Sequence, residues 1–296
     1  MRIFITGASG FLGQALTGAL RTAGHGTVAL VRRSPRANEV LWDPEQPLDP
    51  ARLHDSDAVV HLAGKNIAGR WTAEFKREVL DSRVHGTRTM ATAAAESFRQ
   101  CGRPRVFVSA AGLGYGDRGD EPLTEESSFG KGFLAEVSQL WEAATAPAAA
   151  AGVRVVCLRI GVVLGREGGA LKPMLLPFRL GLGGKVGSGR QFWSWVALDD
   201  VIGAMMFALQ NPSLRGPVNV AAPSPVRNEE FVRTLARVLH RPAIFPVPAF
   251  VVRSLFGEMG QELLLNSYRV VPAKLQAAGY KFRYADLEAA LRAQLG

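Results

Sequence analysis

The stretch Arg2-Ile3-Phe4-Ile5-Thr6-Gly7-Ala8-Ser9-Gly10-Phe11-Leu12-Gly13 decides the fold class. Its apolar start predicts a buried strand, and the residues from Phe11 to Ala23 have the period of a helix. Three glycines spaced as Gly-x-x-Gly-x-x-Gly join the two. Glycines in a first strand-to-helix turn let backbone N–H groups approach a pyrophosphate at the positive end of the helix. We therefore interpret the stretch as a dinucleotide site rather than an ordinary glycine-rich turn.

Short apolar runs alternate with longer helical ones through the first half of the chain. Further strands are predicted at 28–31, 57–62, 105–109 and 153–158, and the helical period over 72–95 leaves room for a break. Continuous apolar strands that alternate with helices predict a doubly wound parallel α/β sheet. The sequence turns glycine- and proline-rich near residue 165. We expect a dinucleotide-binding Rossmann domain over 1–165 and a smaller substrate-binding domain over 166–296, with parts of 190–225 packing back on the first.

The end of the second predicted strand indicates which dinucleotide binds. It reads Val31-Arg32-Arg33-Ser34, where NAD-binding proteins place an acidic residue for the ribose 2′-hydroxyl. Two guanidinium groups suit a 2′-phosphate instead. The sequence therefore favours NADP (NADPH) over NAD, although Arg32 and Arg33 would also fit as ordinary surface charges.

Composition and charge exclude several function classes. The 296 residues are 47 % hydrophobic and 21 % charged, which is typical of a globular protein. With 35 basic and 26 acidic residues the chain carries a formal charge of +9. The basic residues are scattered, without a run or interleaved aromatic residues, so we expect no nucleic-acid partner.

Cysteine, histidine and hydropathy patterns exclude other classes. Two cysteines make no disulfide framework, and five histidines show no ligand spacing, so no metal site is expected. No apolar stretch is long enough to span a membrane. The first strand begins at once, so we expect no leader and a cytoplasmic protein. The expected partner is a small-molecule substrate, with no membrane partner, and the protein is expected to be a monomer or homodimer.

Several further motifs resemble the extended short-chain dehydrogenases/reductases, the superfamily of the NAD-dependent epimerases and dehydratases. They are Asp57-Ala58-Val59-Val60-His61-Leu62-Ala63-Gly64, Val84-His85-Gly86-Thr87, Leu158-Arg159-Ile160-Gly161 and Trp195-Val196-Ala197-Leu198-Asp199-Asp200. Arg70-Trp71-Thr72, Ser82-Arg83 and Gly257-Glu258-Met259 resemble an atypical epimerase-family branch. The resemblance implies these cofactor-binding residues: Thr6, Gly7, Ser9, Gly10, Phe11, Leu12, Gly13, Arg32, Arg33, Asp43, Leu62, Ala63, Gly64, Arg83, Ile160, Gly161 and Val162.

The chain departs from this superfamily at its catalytic pair. Reductases of the superfamily transfer a proton through a Tyr whose pKa is lowered by a Lys four residues later. None of the four tyrosines here has that lysine, and the segment that should carry the pair, 133–142, holds neither residue type. Ser109 remains from the usual catalytic set. The candidates for a substituted donor are Tyr115 and Glu136, and Glu136 would have to be buried to act as an acid near neutral pH.

The resemblance also implies a substrate site in the second half. Lys185 and Arg190 lie among glycines that permit close approach of an anion, with a flexible basic loop as the equal alternative. Trp193 lines the same region or covers the domain junction. His61, on a predicted buried strand, is expected to be a core imidazole.

Three functions remain open from the sequence. The first is an NADP-dependent oxidoreductase or epimerase, acting on a small or nucleotide-linked sugar-like substrate with a non-standard proton donor. The second is a non-catalytic NADP-binding sensor or regulatory protein. The third, a nucleic-acid binder that uses the +9 charge, is the least favoured.

Overall fold

A seven-stranded parallel sheet forms the centre of the computed structural model, which describes residues 1–296. Its strand order is β12-β7-β5-β4-β1-β2-β3. The fourteen strands of the protein are β1 Arg2–Thr6, β2 Gly26–Val31, β3 Glu39–Leu41, β4 Ala58–His61, β5 Val106–Gly112, β6 Pro122–Leu123, β7 Arg154–Ile160, β8 Val162–Gly165, β9 Gly168–Gly169, β10 Phe192–Trp193, β11 Trp195–Ala197, β12 Gly216–Val220, β13 Val226–Arg227 and β14 Arg269–Val270. The doubly wound α/β fold predicted from the sequence is confirmed.

Ten α-helices surround this sheet and build the smaller part of the molecule. They are α1 Phe11–Thr22, α2 Ala73–Cys101, α3 Phe133–Ala143, α4 Ala146–Ala150, α5 Leu171–Arg179, α6 Leu198–Gln210, α7 Asn228–Leu239, α8 Ala249–Gly260, α9 Ala273–Ala277 and α10 Leu287–Leu295. No helix combines the length and apolar character that a membrane crossing needs.

Apolar side chains alternate between the two faces of the sheet, as the two-residue period of a strand requires. Ile3 and Ile5 of β1 pack with Leu16 of α1 and with α6 on one face. Phe4 lies on the other face, in a core that includes Met90 of α2. Burial on both faces explains why the strands are written as unbroken apolar runs.

The long helix α2 has no break, although the sequence left room for one. Thr72 caps its start, accepting the N–H of Phe75 at 3.2 Å. Gly102 ends it in the left-handed conformation at φ 71°. The apolar and small residues between them keep one buried face against the sheet, so the helical period continues to Cys101.

The chain crosses between the two parts of the molecule several times. The segment after β11 returns to the Rossmann part, where α6 packs on α1 and β12 forms the edge strand beside β7. The C-terminal region returns as well, because Tyr280 and Phe282 pack against the same core. Asp200 fixes this return by accepting the N–H groups of Arg283 and Tyr284 at 2.6 and 3.0 Å.

Candidate functional site

The candidate site is the crevice at the carboxyl ends of the strands, where the strand order reverses between β1 and β4. Strands β2 and β3 extend the sheet from β1 in one direction, and β4, β5, β7 and β12 extend it in the other. In doubly wound sheets this switch point is where ligands bind, because the loops on either side diverge.

The glycine loop opens an anion cradle at the start of α1. Gly7 has φ 68°, and a Cβ there would lie 2.8 Å from the carbonyl carbon of Leu62. At Gly13, a Cβ would lie 2.1 Å from the carbonyl oxygen of Gly7. Gly10 is exposed, and its nearest neighbour is the Gly7 carbonyl oxygen at 3.2 Å from a built Cβ. Gly7 and Gly13 therefore shape the turn, and Gly10 faces the open crevice.

The N-terminus of α1 suits a pyrophosphate in its charge as well as in its shape. It has no side-chain cap and no acidic residue in its first turn. Its free N–H groups and the helix dipole favour an anion there. The residues present thus fit the diphosphate of a dinucleotide. Of the other predicted contacts in the loop, Ser9 is exposed, while Phe11 packs against Gly165 and Gly168.

A buried threonine-histidine pair ties the ends of β1 and β4 together. Thr6 and His61 have no exposed surface, and Thr6 Oγ1 lies 2.8 Å from His61 Nδ1. The same oxygen accepts the N–H groups of Leu62 and Ala63 at 3.1 and 3.2 Å. Thr6 therefore donates its proton to Nδ1, which leaves the His61 proton on Nε2, where it has no partner. Thr6 positions the crevice wall, and His61 is the core imidazole expected from the sequence.

Burial lowers the pKa of His61 to about 3, far below its ordinary value of 6.5. The unfolded chain takes up this proton first, so the free energy of unfolding should fall as the pH drops from about 6.5 towards 3, by up to ~1.4 kcal/mol per pH unit. His61→Asn keeps an acceptor for Thr6 and should remove this part of the slope. Denaturant titrations at several pH values check the prediction, and identical slopes in both proteins would contradict it.

The two arginines after β2 differ in their availability. The Arg33 guanidinium makes a bidentate ion pair with Glu39, at 2.8 and 2.6 Å. That pair lowers the pKa of Glu39 and raises that of Arg33. Arg32 is exposed and has no carboxylate partner, so its guanidinium is free to bind a phosphate. Of the two predicted contacts, Arg32 is the one the structure leaves available.

Three other predicted cofactor contacts already have hydrogen-bond partners within the protein. Asp43 is exposed beyond β3 and accepts the N–H of Glu45 at 3.0 Å. Gly161 and Val162, which follow Ile160 at the end of β7, donate their N–H groups to Val220 and Ser194. The N–H groups of Gly161 and Val162 are therefore not available to a ligand.

Arg83 of α2 is a largely buried cation at the end of β4. Its Cζ lies 3.5 Å from a Cβ built on Gly64, and 4.9 Å from the ring centroid of Trp141. Its one hydrogen bond to the protein goes to the carbonyl oxygen of Val79, at 3.1 Å. Burial lowers the pKa of Arg83 to about 10, so it stays charged at neutral pH. A desolvated guanidinium with free N–H donors and no acid partner is suited to an oxyanion.

Ser138 of α3 lies at the end of the neighbouring strand, and the sequence reasoning missed it. A Cβ built on Gly112, the last residue of β5, would lie 2.8 Å from Ser138 Oγ. The side chain is 3 % exposed, yet its oxygen retains contact with solvent and has no hydrogen-bond partner in the protein. The signal available in the sequence was its place one turn before Trp141, within the segment that should carry the catalytic pair.

The three predicted catalytic residues do not meet in the crevice. Ser109 is 1 % exposed, three residues before the end of β5, and donates to the carbonyl oxygen of Ala110 at 3.0 Å. Glu136 lies on the exposed face of α3, so the burial that an acid role required is not present. The structure therefore gives neither residue a contact with a ligand held in the crevice.

Tyr115 is enclosed in a polar network away from open solvent. Its side chain has no exposed surface, and its hydroxyl lies 2.7 Å from Asn219 Oδ1 and 3.0 Å from the carbonyl oxygen of Thr124. Arg159 donates to the same hydroxyl at 2.9 Å and is itself paired with Glu142. Burial raises the pKa of Tyr115. This phenol joins the sheet edge to the loop before α3, which is a structural role.

The predicted substrate residues do not lie together in the structure either. Lys185 and Arg190 are exposed on the glycine-rich loop. Trp193 is 5 % exposed and packs on Phe231, with ring centroids 5.2 Å apart, inside the core of the smaller part. A tryptophan packed there cannot line an open pocket. Asn228, which could cap the next helix, instead accepts the N–H of Val186 at 2.8 Å and so fixes the loop.

No group of three or more His, Cys, Asp or Glu side chains is placed to hold a metal ion. The chemistry available in the crevice is thus that of the anion cradle, of the free Arg32, and of Arg83 and Ser138, which lie at the ends of β4 and β5.

Comparisons with known proteins place this fold and crevice in a family. A family model described as NAD dependent epimerase/dehydratase family matches residues 3–221, and one described as a domain of unknown function (DUF1731) matches residues 247–294. The epimerase family protein Mb2239 of Mycobacterium bovis is 42 % identical over 293 residues, covering 98 % of this chain and 96 % of its own.

Two solved structures extend the likeness to three dimensions. The crystal structure of human epimerase family protein SDR39U1 (isoform 2) with NADPH has a TM-score of 0.89 and 36 % identity, covering 99 % of both chains. The nucleoside-diphosphate sugar epimerase from Corynebacterium glutamicum has a TM-score of 0.83 and 38 % identity, covering all of this chain and 58 % of its own. The chain belongs to the NAD-dependent epimerase/dehydratase family, as its motifs indicated.

Proposed function

We propose that this protein is an NADPH-dependent oxidoreductase or epimerase in which Arg83 and Ser138 replace the usual tyrosine and lysine. Its substrate would be a small or nucleotide-linked sugar-like carbonyl compound or alcohol. The observation that carries the proposal is where these two side chains lie. A desolvated cation without an acid and a hydroxyl without a partner lie at the ends of adjacent strands in a dinucleotide crevice.

The cofactor part rests on the cradle and on Arg32. The N–H groups at the start of α1 would hold the pyrophosphate, and the free Arg32 guanidinium would hold the 2′-phosphate. The NADPH in the crystal structure of human SDR39U1, which is 36 % identical, supports the same choice here.

When bound, the cofactor supplies or accepts a hydride at a carbon of the substrate. In a reduction the substrate carbonyl oxygen gains negative charge as the hydride arrives, and in the oxidation that begins an epimerisation the hydroxyl oxygen gains it as its proton leaves. Arg83 stabilises that charge as a fixed cation in a region of low dielectric constant. Ser138 Oγ donates a hydrogen bond to the same oxygen. Solvent in contact with Ser138 supplies the proton that completes the alcohol in a reduction, and takes up the hydroxyl proton in the oxidation that begins an epimerisation.

The cofactor choice is tested by replacing the free arginine. Arg32→Ala should weaken NADPH binding by at least about tenfold and leave NADH binding unchanged, because the lost charge-assisted contact is worth at least ~1.4 kcal/mol. Arg99→Ala is the control, since this arginine lies in the last turn of α2, which leads to the amino end of β5, away from the crevice at the carboxyl ends of the strands. Calorimetric titration measures the six affinities of the unmutated protein and the two variants for NADPH and NADH. Equal affinities of the unmutated protein for NADPH and NADH would contradict the proposal.

A second candidate is a non-catalytic NADPH sensor. The observation that favours it is the placement of Ser109, Tyr115 and Glu136, none of which offers a proton to the crevice. A sensor would gain thermal stability with NADPH, yet would oxidise no NADPH with any member of a panel of sugar and small-molecule carbonyl compounds. Turnover that depends on Arg83 would exclude it.

A further inference from the structure

Two segments hold almost all of the excess positive charge of the chain. Residues 168–198 and 231–257 contain no Asp or Glu, and each has four Lys or Arg residues. The rest of the chain has 27 of the 35 basic residues against all 26 acidic ones, and is close to neutral. The net charge of +9 is therefore a local property, although the basic residues look scattered along the sequence.

The same two segments expose most of the large apolar side chains at the surface. Eight of the eleven exposed large hydrophobic residues of the protein lie in them, between 45 and 73 % exposed. They are Leu176, Leu180, Leu182, Ile244, Phe245, Phe250, Leu255 and Phe256. Apolar surface concentrated in this way marks a place where something binds.

Backbone hydrogen bonds join the two segments into one surface. Phe245 donates its N–H to Gly183 at 3.1 Å, and Val247 donates to Lys185 at 2.8 Å. Helix α8 begins directly after this ribbon and has one fully buried apolar residue in its first two turns, Val252. We call the surface formed by α5, the loop to Lys185, residues 241–248 and α8 the basic apolar face.

The five cations of this face, Lys172, Arg179, Lys185, Arg241 and Arg253, make no ion pair with a carboxylate. Of the other three cations of the two segments, Arg190 is also unpaired, while Arg233 and Arg237 of α7 pair with Glu229 and Glu288. Arg241 instead donates to the carbonyl oxygen of Arg179 at 3.0 Å, which holds two guanidinium-bearing residues side by side. Free positive charge thus surrounds the exposed leucines and phenylalanines.

We propose that the basic apolar face docks the protein on an anionic lipid surface. Leucine, isoleucine and phenylalanine side chains enter the boundary between head groups and acyl chains, while Lys and Arg attract the anionic head groups. A second copy of the chain would bring cations against cations, which disfavours self-association through this face. Five of its eight exposed apolar residues are aliphatic, so it lacks the stacking platform of a single-strand nucleic-acid site.

This contact does not conflict with the lack of a membrane-spanning helix, because a protein that lies on a surface needs none. The lack of a membrane span in the sequence was the sole ground for expecting no membrane partner. The face adjoins the crevice, since Glu258 of α8 pairs with Lys76 of α2 and Glu262 accepts the first N–H groups of α3. A docked protein would therefore hold its crevice near the lipid surface.

Sedimentation with lipid vesicles tests the proposal. The full-length protein should bind vesicles of phosphatidylcholine and phosphatidylglycerol at least tenfold more tightly than vesicles of phosphatidylcholine alone, and salt should weaken the binding. Phe250→Ser with Leu255→Ser should reduce binding at least tenfold. The matched control is Leu41→Ser with Leu140→Ser, which replaces exposed leucines outside the face. Lys172→Glu with Arg179→Glu should also reduce binding, and Arg52→Glu with Arg88→Glu should not.

Three results would overturn the proposal. One is no binding to anionic vesicles by a protein whose thermal unfolding is normal. Another is equal binding by the face and control variants. The third is a dimer by light scattering, or a duplex or single-stranded DNA complex by calorimetry, that the face variants abolish while vesicle binding persists.

Discussion

Gly10→Val should reduce NADPH binding by at least 100-fold, corresponding to ~2.7 kcal/mol. Gly10 has extended backbone angles, φ −77° and ψ 171°, which a valine also adopts, so the fold should survive. The branched side chain would fill the space in front of the α1 N–H groups and keep a pyrophosphate from reaching them. Calorimetry of the purified variant measures the loss.

Gly18→Val is the matched control for this experiment. Gly18 lies in the same helix, is exposed, and has no neighbour within 4 Å of a built Cβ. Gly18→Val should not cost helix stability, because valine has a higher helix propensity than glycine, and it should leave the NADPH affinity unchanged. Equal affinities of the Gly10 and Gly18 variants would place the cofactor elsewhere.

Arg83→Gln should lower kcat by about 100-fold, the loss expected when one oxyanion donor is removed. The reaction is followed by NADPH consumption on a carbonyl substrate that the unmutated protein reduces. We expect the affinity for NADPH to change by less than about threefold, because the charge acts on the substrate oxygen. Arg83→Lys keeps the positive charge and should recover part of the rate. A large loss of NADPH affinity at unchanged kcat would instead make Arg83 a cofactor ligand.

Two serine variants are measured in the same kinetic assay. Ser138→Ala should lower kcat about tenfold through the loss of one hydrogen bond in the transition state. Ser109→Ala removes a hydroxyl that already bonds to its own strand, and should leave kcat near that of the unmutated protein. A larger loss of kcat for Ser109→Ala than for Ser138→Ala would assign the catalytic role to Ser109 instead.

Local signals in the sequence were enough for the sheet and the cradle. The conformation of the Gly7–Gly13 loop depends only on the strand before it and the helix after it. The glycine pattern therefore predicted both the shape of the loop and its preference for an anion. The absence of an acid after Val31 was likewise visible in the sequence. The sequence did not show which of Arg32 and Arg33 is free, because that depends on Glu39 of the neighbouring strand.

The catalytic prediction depended on long-range packing that no local pattern carries. Tyr115 is enclosed by Arg159 and Asn219, which are 44 and 104 residues away. Ser138 reaches the crevice because α3 packs across the end of β5, so that its hydroxyl lies beside Gly112. The edge strand β12, Gly216–Val220, comes from the 190–225 stretch that was expected to pack back on the first part of the chain.

A crystal structure of the unmutated protein with NADP⁺ tests the central claim most directly. We expect the diphosphate on the N–H groups at the start of α1, the 2′-phosphate on Arg32, and the nicotinamide ring at the ends of β4 and β5, facing Arg83 and Ser138. A nicotinamide ring that lies away from both side chains, or a 2′-phosphate without Arg32, would contradict the account.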